Sequence, residues 1–259
     1  TAELPETGER FEGILPPAAP GPAFALRKRA VSIIGLDRYV ADGILTAGQA
    51  EFLRRAVRER QNILIAGGTS TGKTTLANAL LAEIAATGDR VLVLEDTIEL
   101  QCAARDHVPL RTRAGVVSMT ELVRATMRLR PDRVIVGEVR GGEALDLVKV
   151  WGTGHPGGIA TIHAGSALGA LLRLEQLILE VAVNPPRALI AEAVNVVIHI
   201  AGRGRKRRVE SIARVVGFDG TGYRLADALE TPFPELMPVP LAADAAAPSS
   251  SLDLPGELP

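Results

Sequence analysis

A glycine-rich run at residues 63–76, ILIAGGTSTGKTTL, carries the most specific chemistry in this chain. Gly67 is followed after four residues by Gly72-Lys73-Thr74, the pattern G-x-x-x-x-G-K-[ST] of a phosphate-binding loop. It lies between an apolar, strand-like run and a helix-like run, as such a loop requires. Gly67 and Gly72 permit backbone conformations that a side chain would obstruct, so the N–H groups of Gly68, Thr69, Ser70 and Thr71 can turn inward around a phosphate. The helix that begins near Lys73 adds the unpaired N–H groups of its first turn, Thr75 included, and the positive end of its dipole. Lys73 would reach the β- and γ-phosphates, and the Thr74 hydroxyl would bind Mg²⁺. The expected ligands are ATP and Mg²⁺.

Three later apolar runs end in ionisable residues: VLVLE in Glu95-Asp96, RVIVG in Glu138, and GGIATI in His163. In a parallel α/β sheet, ligands bind at the carboxyl ends of the strands, so these endings fall where a phosphate site would need them. An Asp at the end of an apolar strand commonly helps to hold Mg²⁺; here Gly137 takes that position and a Glu follows. A carboxylate there can hold the metal's water shell, or orient and deprotonate an attacking water. Glu95 offers the same chemistry, and the two roles are not separable by spacing; Glu138 is preferred as the principal base. His163 could donate to the γ-phosphate oxygens or report their loss. His155 is a weaker case of the same kind, while His107 and His199 read as structural. Phosphoryl transfer also needs positive charge on the γ-phosphate, often an arginine from a neighbour. The candidates are Arg140 above all, then Arg111 and Arg113, then Arg10, Arg27 and Lys28.

Strand and helix runs alternate from residue 63 onward, which predicts a largely parallel sheet covered by helices on both faces. Residues 32–61 read as two helices separated by Gly43, the second opened by a capping box of Thr46 and Gln49. Helices are expected at 74–86, 119–129, 143–151, 167–181 and 186–194, and a closing hairpin at 196–200 and 209–216. The loop between its strands, 203–208, is RGRKRR, read as a solvated hairpin tip or a contact for anionic lipid. The division is an earlier domain's end plus linker (1–29), a nucleotide-binding α/β domain (30–226) and a disordered tail (227–259). The net charge of −1 provides no bulk attraction to nucleic acid, and aromatic content of 3% excludes widespread base stacking. Cys102 is the one cysteine, so an internal disulfide framework is excluded. No apolar run reaches the ~20 residues that span a bilayer.

With these pieces in order, the chain resembles the secretion ATPases of the type II/type IV traffic-ATPase superfamily. Four boxes carry the resemblance: GGTSTGKTT (Walker A), VLVLEDTIELQ (the Asp box), MRLRPDRVIVGEVRG (Walker B) and TGHPGGIATIHAGSA (the His box). RFEGILPP, FALRKRA and EDTIELQCAA are most similar to the conjugal-transfer ATPases of type IV secretion. The resemblance implies a RecA-like P-loop ATPase fold for the domain at 30–226, and an ATP-hydrolysing homohexameric ring at the cytoplasmic face of the inner membrane, working with other components of a conjugation machine. It implies Lys73 and Thr74 as phosphate and Mg²⁺ residues, Glu95 as the Asp-box acid, Glu138 as the Walker B acid and His163 as the His-box histidine. It also implies that most of the family's N-terminal domain is absent from this sequence. Two rival readings remain: a pilus or type II secretion motor, and a nucleic-acid-binding module in which ATP is regulatory. The absence of a four-cysteine zinc module weighs against the type II branch, and direct nucleic-acid binding is not expected.

Overall fold

The computed structural model describes residues 2–5, 9–28 and 32–230. The leading segment is a small antiparallel sheet of β1 (Ala2–Glu3), β2 (Arg10–Ile14) and β3 (Ala23–Arg27), with β2 in the middle. Two short helices follow, α1 (Leu36–Ala41) and α2 (Ala47–Arg58). The helical reading of 32–61 therefore begins late, since residues 32–35 lie outside any helix. Gly43 takes φ +70° in the turn between the helices. The capping box forms as expected: Thr46 Oγ1 accepts from Gln49 N at 3.1 Å, and Gln49 Oε1 accepts from Thr46 N at 2.9 Å.

The rest builds one eight-stranded sheet. In chain order its elements are β4 (Ile63–Ala66), α3 (Lys73–Ile84), β5 (Val91–Glu95), β6 (His107–Arg111), α4 (Met119–Thr126), β7 (Arg133–Val136), α5 (Glu143–Gly152), β8 (Ile159–Ile162), α6 (Ala167–Ile178), α7 (Arg187–Ala193), β9 (Val196–Ala201), β10 (Arg208–Phe218) and β11 (Tyr223–Asp227). The strand order is β11-β10-β9-β4-β8-β7-β5-β6. Strands β4 to β9 pair in parallel, and β9-β10-β11 close one edge as antiparallel hairpins.

Strand residues alternate between two cores, because successive side chains point to opposite faces. Ile63, Ile65, Val91, Val93 and Ile135 pack with α1, α2 and α3. Leu64, Ala66, Leu92, Leu94, Val134 and Val136 pack with α4, α5, α6 and α7. Strands buried on both faces explain why these runs read as continuously apolar. The layered arrangement puts the carboxyl ends of β4, β5, β7 and β8 at one edge. Strand β11 was not expected. Asp227 ends it and Ala228 is still buried, its N–H bonded to Ile212 O, while residues 231–259 of the expected tail lie outside the described residues.

Candidate active site at the strand ends

The loop between β4 and α3 forms the floor of the site. Gly72 takes φ +96° and Ser70 φ +63°, left-handed conformations that turn the chain sharply into the helix. Gly67 passes so close to β9 that a β-carbon there would lie 2.5 Å from Ile200 O. Lys73 is buried, and its ammonium donates to the carbonyls of Gly67 and Gly68 at 3.0 and 3.1 Å. Burial lowers its pKa, with the Glu138 charge opposing.

The wall comes from the loops after β5, β7 and β8. The segment after β7 is bonded to strands on both sides: Gly137 N donates to Leu94 O, and Val139 N to Thr161 O, both at 2.9 Å. Between them Glu138 is fixed. Its Oε1 lies 2.7 Å from His163 Nε2, and its Oε2 accepts from Arg140. The Lys73 ammonium is 3.5 Å from both His163 ring nitrogens. Desolvation and the Lys73 charge hold the His163 pKa below its ordinary value, against the pull of Glu138, which favours the neutral imidazole; its Nε2 lies where a ring N–H can donate to the carboxylate.

Glu95 stands differently. Its Oε1 accepts from the backbone N–H groups of Glu99 and Leu100, at 2.9 and 2.8 Å, so one oxygen shapes the following loop. The glycine at position 137 gives it room: a β-carbon there would meet Glu95 Cγ at 3.1 Å. Glu99, not singled out on sequence, accepts from Thr74 Oγ1 at 3.4 Å and from Arg27 at 2.8 Å. The arrangement ties the small sheet to the phosphate loop.

These loops border a cavity of about 600 Å³, lined by Thr69, Ser70, Gly72, Lys73, Thr74, Thr75, Glu95, Glu99, Glu138, Arg140, His163 and others; of the expected phosphate-loop residues, Gly67, Gly68 and Thr71 do not line it. That volume suits a nucleotide-sized ligand. Of the arginine candidates, Arg10 and Arg27 from the small sheet and Arg140 reach it. Arg140 is engaged within the same chain, on Glu138 and, at 3.7 Å, Asp96. Arg111 and Arg113 do not line it; Arg111 Nε donates to Asp96 O. His155 lies within hydrogen-bond distance of Pro131 O and His107 of Ala104 O, and His199 pairs with Glu210, all apart from the cavity. The reading of 203–208 as a solvated tip needs correction at one residue. Arg207 turns back onto the phosphate loop and lines the cavity. Only a charge run marked it on sequence.

The family described as Type II/IV secretion system protein matches residues 12–211, which span all four boxes and their strand ends. The chain belongs to that family. The conjugal transfer protein TrbB of Rhizobium radiobacter is 51% identical over 226 residues, covering 86% of this chain and 70% of the relative. The crystal structure of the VirB11 ATPase from the Brucella suis type IV secretion system, in complex with sulphate, superposes with a TM-score of 0.58 at 30% identity, covering 82% of this chain and 75% of that one. The pilus retraction motor PilT shares the fold, with a TM-score of 0.58 at 21% identity over 87% of this chain and 60% of its own. Membership of this ATPase family, with its phosphate loop intact, makes the chain an ATP hydrolase and motor component of secretion.

Proposed function

We propose that this chain hydrolyses Mg²⁺-ATP to drive a conjugative type IV secretion machine, with Glu138 activating the attacking water. The observation that carries the reading is the convergence of Lys73, Thr74, Glu138 and His163 on one cavity. Lys73 exchanges its two backbone carbonyls for β- and γ-phosphate oxygens. Glu138 accepts the proton of the water as its oxygen attacks the γ-phosphorus; the bond to the β–γ bridging oxygen breaks, and ADP and phosphate leave. His163 orients the carboxylate through the 2.7 Å contact and senses the γ-phosphate beside Lys73.

The donor set fits Mg²⁺. This ion takes one or two protein oxygens plus phosphate and keeps its remaining waters, so it needs no cage of several carboxylates. Thr74 Oγ1 would bind it directly, with Glu138 and Glu99 on its water shell. The metal would supply charge neutralisation on the phosphates.

The working unit on this reading is a homohexamer at the cytoplasmic face of the inner membrane, docked on other components of the machine. Supporting it, Leu168, Leu172 and Leu179 are exposed on and just beyond α6, and Val181 and Val183 follow them. Among the described residues, no helix is long and apolar enough to cross a membrane. The 51% identity to a conjugal transfer protein favours conjugation over the pilus reading. The test is Glu138→Gln: ATP binding persists and phosphate release falls by about 10²–10⁴-fold. Wild-type turnover in that variant would remove Glu138 from the role of base.

A further inference from the structure

We propose that Arg207, in the β9–β10 loop, contacts the diphosphate part of the bound nucleotide from within the same chain, outside the four sequence boxes. The proposal rests on the nucleotide reading above.

The guanidinium lies against the phosphate loop: a β-carbon built on Gly72 would meet Arg207 Nε at 2.9 Å and Cζ at 3.0 Å. Its Nε is buried and has no hydrogen-bond partner. A charged donor withdrawn from water without a partner is costly, and a ligand anion would satisfy it. The other cavity arginines with recorded pairs are committed to carboxylates, Arg27 to Glu99 and Arg140 to Glu138. Among the described residues, Arg207 forms no ion pair.

The loop backbone holds that orientation. Gly202 takes φ +76°, and a β-carbon there would collide with Lys206 O at 2.1 Å. A single 3₁₀ turn over Gly204–Lys206 is closed by Arg207 N donating to Gly204 O. Just beyond, Val209 N is tied to Ile44 O in the turn after α1. The rest of the charge run stays outside: Arg203, Arg205, Lys206 and Arg208 are exposed, and Arg208 pairs with Glu210 at 3.0 Å. One of five basic side chains is turned inward, and it meets the loop at Gly72.

Position decides which phosphates it meets. The glycine-rich backbone cradles the α- and β-phosphates, whereas the lysine reaches the β and γ. Glu138 and His163 stand at the Lys73 ammonium, the γ end. Arg207 stands at Gly72 instead, so its contact is made equally with ADP and ATP. It helps to hold the product as well as the substrate.

The test is equilibrium binding of ADP and ATP to wild type, Arg207→Met, Arg207→Lys and Lys73→Ala. Methionine keeps the packed stem and removes the charge; lysine keeps the charge. Arg207→Met is expected to weaken ADP and ATP alike, by about ten- to hundredfold, with the unliganded melting temperature little changed. Arg207→Lys is expected to recover part of the loss. Wild-type ADP affinity in Arg207→Met, alongside lost binding in Lys73→Ala, overturns the Arg207 contact and leaves the nucleotide site standing. No ADP binding by the wild-type chain overturns both. If Arg207→Met does not fold, Arg207→Gln is read by the same criteria.

Discussion

Lys73, His163 and Glu138 form a chain of contacts, with the imidazole set between the ammonium and the carboxylate. On the proposed reading the Lys73 ammonium meets both β- and γ-phosphates, so Lys73→Ala is expected to abolish measurable turnover in a phosphate-release assay. Removing His163 leaves the phosphate loop intact but frees one oxygen of Glu138. His163→Ala is therefore expected to lower kcat by about tenfold or more while nucleotide affinity changes little. The His163 pKa is held below 6.5 by burial and by Lys73, so the folded chain takes up this proton less readily than the unfolded chain. The contribution is complete above about pH 6.5 and is lost as pH falls through the folded value. Turnover should be flat from pH 7 to 8 and fall on acidification, and that limb should change in His163→Gln. An unchanged limb would assign it to another group.

Beneath the site, the opposite ends of β5 and β7 are fixed by a buried pair. Arg133 Nε donates to Asp89 Oδ2 at 2.6 Å, with both side chains more than nine-tenths buried, and other Arg133 nitrogens donate to Val57 O and Gly157 O. Burial opposes the charge on Asp89, but Thr87, Arg133 and Arg60 outweigh it and keep the carboxyl below its ordinary value. Its stabilising contribution is present above about pH 4 and lost as pH falls through the depressed value. Asp89→Asn strands a buried guanidinium and is expected to cost about 3–5 kcal/mol in urea unfolding at pH 7. A cost under 1 kcal/mol would show that the three arginine contacts compensate one another. Elements of this kind were legible in the sequence to different degrees. The capping box and the doubly buried strands were readable because their signals are local: a Thr–Gln spacing and unbroken apolar runs. Strand β11, YRLAD, is only five residues long and offers just Tyr223 and Leu225 to the core, so its place depends on pairing with β10 as well as on that packing. Arg207 was hidden for a related reason. Within RGRKRR every side chain but that of Gly204 is basic, and the turn around Gly202 and the 3₁₀ segment decides which one faces inward. Glu99 was missed because its role depends on Arg27, 72 residues away.

At the scale of the whole molecule, the cavity joins two pieces. The parallel sheet supplies the phosphate loop and the strand-end acids; the small antiparallel sheet brings Arg10 and Arg27 to the same space. Arg140 is engaged on Glu138 and Arg27 on Glu99; on the proposed hexameric reading, positive charge on the γ-phosphate in the transition state comes from a neighbouring copy. Exposed leucines on α6 offer such a copy a place to pack. Catalysis should then depend on association as well as on residues in one chain. The measurement that tests this most directly is phosphate release from Mg²⁺-ATP per chain across a wide range of protein concentration, with Glu138→Gln run alongside. Turnover per chain is expected to rise with concentration in the wild type and to be lost at every concentration in the variant. Turnover in Glu138→Gln equal to that of the wild type, or wild-type turnover per chain that is independent of concentration down to a verified monomer, would contradict the proposed mechanism.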